Sequence, residues 1–146
     1  HNGHRLELMI QHSPRQVVAA ALLDGAGRVL ITQRPEGKWQ AGRWEFPGGK
    51  VEPGESEEGA LRREVREELG VTAGLVHRLA EVHHDYGDRA VQLALWVVRA
   101  FEGEPRGMEG QALRWVGFAE LASADLLEAD APLLPALRRV LEGGVD

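Results

Sequence analysis

Seven residues within a 23-residue window carry the chemistry of this chain: Gly49, Glu55, Arg63, Glu64, Glu67, Glu68 and Gly70, with apolar Val65 and Val71 among them. Written as a pattern, they read G-x5-E-x7-R-E-V-x-E-E-x-G-V. At ~100° per residue, Glu57, Glu64, Glu67 and Glu68 fall in one sector of a helix. Crowding like charges at i, i+3 and i+4 is unfavourable by a few tenths of a kcal/mol per pair, so an arbitrary E-x-x-E is usually a solvated acidic face. Here the whole pattern follows a Gly-Gly loop at a fixed distance, which points to function. All-oxygen donors suit Mg²⁺ or Mn²⁺. Such ions neutralise phosphate charge, orient a substrate and acidify a bound water. Phosphoryl transfer needs mainly positioning and electrostatic stabilisation, so no Ser, Cys or Thr nucleophile is required. Residues 45–68 hold eight Glu against Lys50, Arg62, Arg63 and Arg66, a local net of −4. An anionic substrate would reach such a patch only with cations as a bridge.

The element that must position these groups is a helix over 57–69. Ser56 is the expected N-cap, Glu57 and Glu58 suit the positive end of the dipole, and Gly70 suits the C′ position. Leu61, Val65 and Leu69 form its apolar stripe, and Arg62, Arg63 and Arg66 a basic one. Strands are expected at 17–23, 29–32, 75–86, 89–100 and 112–116, with a short extended piece at 44–46. Pro47-Gly48-Gly49 and Glu52-Pro53-Gly54 read as turns, and 35–43 and 101–110 as loops. A closing amphipathic helix is expected over 132–141. Strands mixed with two helices predict an α+β protein, a mixed sheet covered by helices.

The chain has 146 residues, which predicts one domain, taken as 15–146. Residues 1–14 read as an irregular N-terminal segment, with His1-Asn2-Gly3-His4 set aside as an added leader. Apolar residues make up 43% and charged residues 27%, an ordinary globular composition. No apolar run reaches the ~20 residues of a membrane span, and no signal-peptide pattern is present. With no cysteine there is no disulfide and no thiolate site, which fits a cytoplasmic protein. A net charge of −6 argues against binding duplex nucleic acid. A monomer is expected, with a dimer as the alternative.

The pattern is that of the Nudix box, and the chain resembles the Nudix hydrolases from about residue 17 to 141. It is most similar to their MutT-type nucleoside triphosphate pyrophosphohydrolases. Trp44-Glu45-Phe46-Pro47-Gly48-Gly49-Lys50-Val51-Glu52 resembles that subgroup's extended box. So do Ile31-Thr32-Gln33-Arg34, Glu102-Gly103-Glu104-Pro105 and Glu109-Gly110-Gln111. The resemblance implies a Nudix fold, an α/β/α sandwich, and a small-molecule nucleotide substrate. The implied reaction is NTP plus water giving NMP plus pyrophosphate, on a modified nucleotide such as 8-oxo-dGTP or a modified CTP.

It further implies that Glu64, Glu67, Glu68 and the Gly48 carbonyl hold Mg²⁺ or Mn²⁺. Glu64 or a neighbour would activate water, and Arg63 with Glu55 would fix the loop onto the helix. Glu109 would be an extra metal ligand or base. For the substrate, it implies Arg34 and Lys50 near phosphate or base, and Phe46 and Tyr86 in the base pocket. Asp130 falls where the subgroup's prototype carries an Asn that reads oxidised guanine; an ionised Asp only accepts hydrogen bonds. The plainer reading of Asp130 is a helix N-cap beside Pro132. His83-His84-Asp85 is not expected to chelate, because neighbours on a strand face opposite ways. Trp44, Trp96 and Trp115 read as packing, and Trp39 as a residue that could approach the ligand. Other expected substrates are dinucleotide polyphosphates, ADP-ribose and RNA 5′ ends. A non-catalytic binding module is disfavoured because every box carboxylate is present.

Overall fold

A computed structural model of the chain describes residues 14–143; the N-terminal segment expected as irregular, His1-Asn2-Gly3-His4 included, lies outside that range but for residue 14. The strands are β1 Arg15–Leu22, β2 Val29–Gln33, β3 Trp44–Glu45, β4 Gly48–Lys50, β5 Thr72–Ala73, β6 Val76–Asp85, β7 Ala90–Val98, β8 Phe101–Glu102 and β9 Leu113–Val116. The helices are α1 Glu57–Leu69, α2 Phe118–Ser123 and α3 Leu134–Leu141, the last preceded by a 3-10 turn at Ala131–Leu133. The sheet predicted as one mixed unit is three hydrogen-bonded sets: a mixed β4-β1-β7-β6, an antiparallel β3-β2-β9 and a β5-β8 pair.

β1 explains the layering. Its run of Val, Ala and Leu is continuous because both faces are covered, as in a parallel pairing. It runs parallel to β7 over Arg15–Leu22 and antiparallel to β4. Ala19 and Ala21 face one core with Leu95, Leu121, Leu133 and Leu137, under the C-terminal helices. Val18, Ala20 and Leu22 face the other with Leu61, Val65 and Leu69, under α1. The result is the expected α/β/α sandwich of an α+β fold.

Three local expectations change. Gly48-Gly49-Lys50 is a strand, not a turn: Val17, Val18 and Ala19 pair with Lys50, Gly49 and Gly48. The glycines that suggested a turn are needed for closeness instead. A Cβ on Gly48 would sit 2.0 Å from the Val18 carbonyl oxygen. The closing helix begins at Leu134, because the preceding residues, with Pro132 among them, form the 3-10 turn. The loop after residue 100 opens with β8, which pairs with β5. Among the described residues no helix is long and apolar enough to cross a membrane.

Candidate active site

Helix α1 forms as its sequence dictates. The Ser56 hydroxyl accepts from the Gly59 amide at 3.0 Å, and Gly70 ends the helix at φ 71°, its amide donating to the Arg66 carbonyl. The apolar stripe Leu61, Val65 and Leu69 is buried on β1, which fixes the helix's rotation. Its last turn is then held from outside: the amides of Arg106 and Met108 donate to the carbonyls of Leu69 and Glu68. The loop before the helix is clamped to it by Arg63, whose Nε and Nη2 donate to Glu55 at 2.6 and 2.9 Å. Nη2 also donates to the Lys50 carbonyl at 3.0 Å. Arg63 holds the Glu55 carboxyl down at about 2. This is the supporting pair anticipated above, rather than an isolated surface ion pair.

Glu68 accepts from the Gly48 amide at 3.2 Å and is largely buried. Burial first, then the charges of Glu64, Glu45 and Glu109, push its pKa up to about 8, against the Gly48 hydrogen bond. Burial likewise raises Glu64, against Arg63. Glu64 and Glu67 lie 3.4 and 3.2 Å from Arg63 Nη1. Glu57 does not share this site. It binds Arg78 Nε and Trp96 Nε1, both at 2.9 Å, so the fourth carboxylate of the sector is a tie to the sheet.

A cavity of about 260 Å³ opens beside this cluster. It is lined by Gly48, Gly49, Glu68 and Glu109, by Arg34 and Lys50, and by Phe46, Tyr86 and Asp130. Those are the predicted site residues apart from Glu55, Arg63, Glu64 and Glu67; Glu64 lies against Gly49 and Arg63 against the Lys50 carbonyl, with Glu55 and Glu67 on Arg63. The sequence reading missed Glu45, Arg15, Lys38 and Arg89, which also line the cavity. Glu45 is paired with Arg34 at 3.0 Å, and burial raises its pKa all the same. Glu45 stood within the extended-box stretch and between two aromatics, Trp44 and Phe46, but residue type alone gave it no role. Arg34 also donates Nε to the Trp39 carbonyl at 2.6 Å, so it is a braced wall of the cavity.

The aromatic side is equally ordered. Trp39 meets Tyr86 edge-on with ring centres 4.7 Å apart, and the Arg89 guanidinium lies 4.3 Å over the Trp39 ring. The Tyr86 hydroxyl accepts from the Ala129 amide at 2.7 Å. Phe46 is a core residue with one edge on the cavity. Asp130 stands at the N-cap position of the 3-10 turn, but its side chain makes no capping hydrogen bond; it is 4% exposed and accepts from the Phe46 amide at 3.0 Å. It is not the simple ionised acceptor expected from its residue type. Burial, then the Glu45 charge, push it up to about 8, so near neutral pH its carboxyl is mostly protonated and can donate as well as accept. His83 and His84 turn to Glu81 and Glu128 separately, as their strand alternation requires.

Among the described residues no three carboxylates or imidazoles already converge as a closed metal cage. The donor set nevertheless fits a hard divalent cation. The charges of Glu64, Glu45 and Glu109 are close enough to raise the proton affinity of Glu68, Glu109 acts likewise on Glu45 and Glu64, and all four offer oxygen. A doubly positive ion bound there would offset the negative charge that burial and crowding otherwise disfavour. The two glycines give a test of the arrangement. Gly49→Ala places a Cβ 2.1 Å from Glu64 Oε2, a movable side-chain end. It should weaken Mn²⁺ binding about tenfold with little change in melting temperature. Gly48→Ala meets backbone instead and should cost stability by ~2 kcal/mol or more. Calorimetric melts with an Mn²⁺ titration separate the two, and equal behaviour of both variants would contradict this geometry.

A family profile described as NUDIX domain matches residues 13–137. The chain is 44% identical over 119 residues to the CTP pyrophosphohydrolase of Escherichia coli (strain K12), covering 82% of this chain and 88% of that one. It is 34% identical over 125 residues to the 8-oxo-dGTP diphosphatase of the same organism, covering 86% and 97%. Among solved structures, the E. coli ORF135 protein in solution superposes with a TM-score of 0.77 at 42% identity, covering 88% of this chain and 91% of that one.

Proposed function

Because the chain belongs to the Nudix family, we propose that its cavity binds a nucleoside triphosphate and that the enzyme hydrolyses it, MutT fashion, to the monophosphate and pyrophosphate. The observation that carries the reading is the composition of one cavity. Carboxylates Glu45, Glu68 and Glu109 share it with cations Arg15, Lys38, Lys50 and Arg89 and with aromatic Trp39 and Tyr86. Acids for a cation, bases for phosphates and rings for a nucleobase are the three needs of such a substrate. The relatives named for CTP and for 8-oxo-dGTP support a modified or pyrimidine nucleotide as substrate.

Glu64, Glu67, Glu68 and the Gly48 carbonyl are the groups to hold the cation, Mg²⁺ by preference, with Glu109 beside them. When bound, it supplies charge neutralisation on the phosphates and activation of water. The protein's own residues do the rest. Arg63 and Glu55 lock the loop against α1. Lys50, Arg15 and Lys38 meet the remaining phosphate charge. A carboxylate of the cluster takes the proton of the attacking water; Glu64 and Glu109 are the candidates.

Asp130 reads the base. Its neutral carboxyl presents a donor and an acceptor, as an amide would. Asp130→Asn should therefore keep activity on the substrate read by the neutral acid and leave metal dependence intact. Wild-type preference between cytosine and oxidised-guanine nucleotides should change as pH rises through about 8, while the Asn variant's preference stays flat. kcat/KM on both substrates from pH 6 to 9 decides it; parallel losses on every base would sink the role.

The reading as a whole is tested by Mg²⁺-dependent turnover on a panel of NTPs that includes 8-oxo-dGTP and 5-methyl-dCTP. The expected products are NMP and pyrophosphate. Release of phosphate and NDP, or no turnover, would refute it.

A further inference from the structure

Glu109 reaches the site from a long surface loop, and the loop needs a reason to hold it there. Its neighbour Gln111 supplies one. The Gln111 amide oxygen accepts from the Glu109 backbone N–H at 2.9 Å, and its Nε2 donates to the Glu68 carbonyl at 3.1 Å. One planar side chain thus ties the segment bearing Glu109 to the last turn of α1, at the residue whose carboxylate lines the cavity. The Glu68 carbonyl also accepts from the Met108 amide at 3.0 Å, so two donors from one loop meet there.

The loop is shaped for this bridge. Gly110 donates to the Gly107 carbonyl at 2.9 Å and itself takes φ 81°, which closes a tight turn around Glu109. Gly107 admits no side chain: a Cβ there would lie 2.1 Å from the Gln111 carbonyl oxygen. A carboxylate on an exposed loop otherwise loses much of its effect to conformational freedom, because a small misplacement at a reacting centre is costly. A side-chain amide that satisfies one backbone donor and one backbone acceptor removes that freedom at two points.

We propose that Gln111 is a positioning residue for the hydrolytic reaction, holding the Glu109 carboxylate in register with the α1 carboxylates through its bridge between Glu109 and Glu68. The inference rests on the reading of Glu109 as a group that acts on the cation or the water. Gln111 itself touches neither substrate nor cation.

The test is a double-mutant cycle. Gln111→Met keeps the side chain's length and removes both hydrogen bonds, and Gln111→Ala is the second variant. Each should lower kcat about tenfold with KM for the nucleotide and the melting temperature nearly unchanged. In a Glu109→Gln background, neither should lower kcat further. If Glu109→Gln is slowed but a Gln111 variant multiplies that loss, or leaves wild-type kcat untouched, Gln111 does not act through Glu109 and the proposal falls. Full activity of Glu109→Gln would instead refute the reading beneath it, and this inference with it. Unfolding of both Gln111 variants at assay temperature would make the residue structural and overturn the proposal too.

Discussion

Replacing Glu67 by Gln should lower kcat by at least ~100-fold at saturating Mg²⁺, with a melting temperature within a few degrees of wild type. The two halves of this expectation come from different observations. Glu67 is 60% exposed and its described ion pair is with Arg63 alone, so losing its charge disturbs no packing. Arg63 keeps its firmer partner, Glu55, at 2.6 Å. Whatever is lost therefore belongs to the charge that Glu67 offers a cation. Steady-state kinetics with a melt of the same sample checks both halves, and near-normal kcat would remove Glu67 from the site.

A second large effect is on cation binding as pH changes. Glu68 ordinarily titrates near 4.5, and burial among like charges moves it to about 8. A carboxyl raised by folding favours the folded state while it is protonated, fully so below its ordinary pKa. That contribution fades as pH climbs through about 8. Asp130, raised to about 8 by its own burial, adds to the same trend. Metal-free protein should therefore lose stability between pH 6 and 9. A cation at Glu68 must displace the proton, so its affinity should rise about tenfold per pH unit from near pH 5 and level off above pH 8. Across that window the gain approaches ~1,000-fold, and Mg²⁺ should raise the melting temperature most at high pH. Mn²⁺ titrations by calorimetry at pH 6, 7, 8 and 9 read it directly. Glu68→Gln should flatten what dependence remains, whereas a wild-type affinity independent of pH would exclude Glu68 as a ligand.

What could be read before the structure was local. Helix α1 was legible to the residue because Ser56, Glu57, Glu58 and Gly70 are themselves its start and stop chemistry. The three-way division of its surface follows from the same periodicity. Strand β4 was not legible, since Gly48-Gly49-Lys50 becomes a strand only through pairing with residues about 30 positions earlier. Helix α2, at Phe118–Ser123, has only 6 residues and begins after Gly117 without a side-chain cap, so it left no mark in the pattern. Glu57 shows how a helical sector can mislead. It shares the acidic face by angle, yet Arg78 and Trp96 claim it from the neighbouring strands.

The site divides the same way. The box residues stand out in the sequence because their spacing is the family's signal. Asp130 lines the cavity, and burial there raises its proton affinity, which residue type does not report. Arg89 and the edge-on meeting of Trp39 with Tyr86 arise from long-range packing of the 34–43 loop against the turn between β6 and β7, and Glu45 is set by its pair with Arg34. Gln40, beside Trp39, holds φ 58°, a conformation few side chains adopt and one that marks the loop as constrained by its surroundings.

In the proposed function the α1 carboxylates hold a divalent ion against a nucleotide's phosphates. The most direct measurement is Mn²⁺ binding, by electron paramagnetic resonance, to the wild type and to the combined Glu64→Gln, Glu67→Gln, Glu68→Gln variant, each with a non-hydrolysable NTP analogue. The wild type should bind Mn²⁺ and the folded triple variant should lose that binding to the level of the analogue alone. Undiminished Mn²⁺ binding by the triple variant would contradict the account.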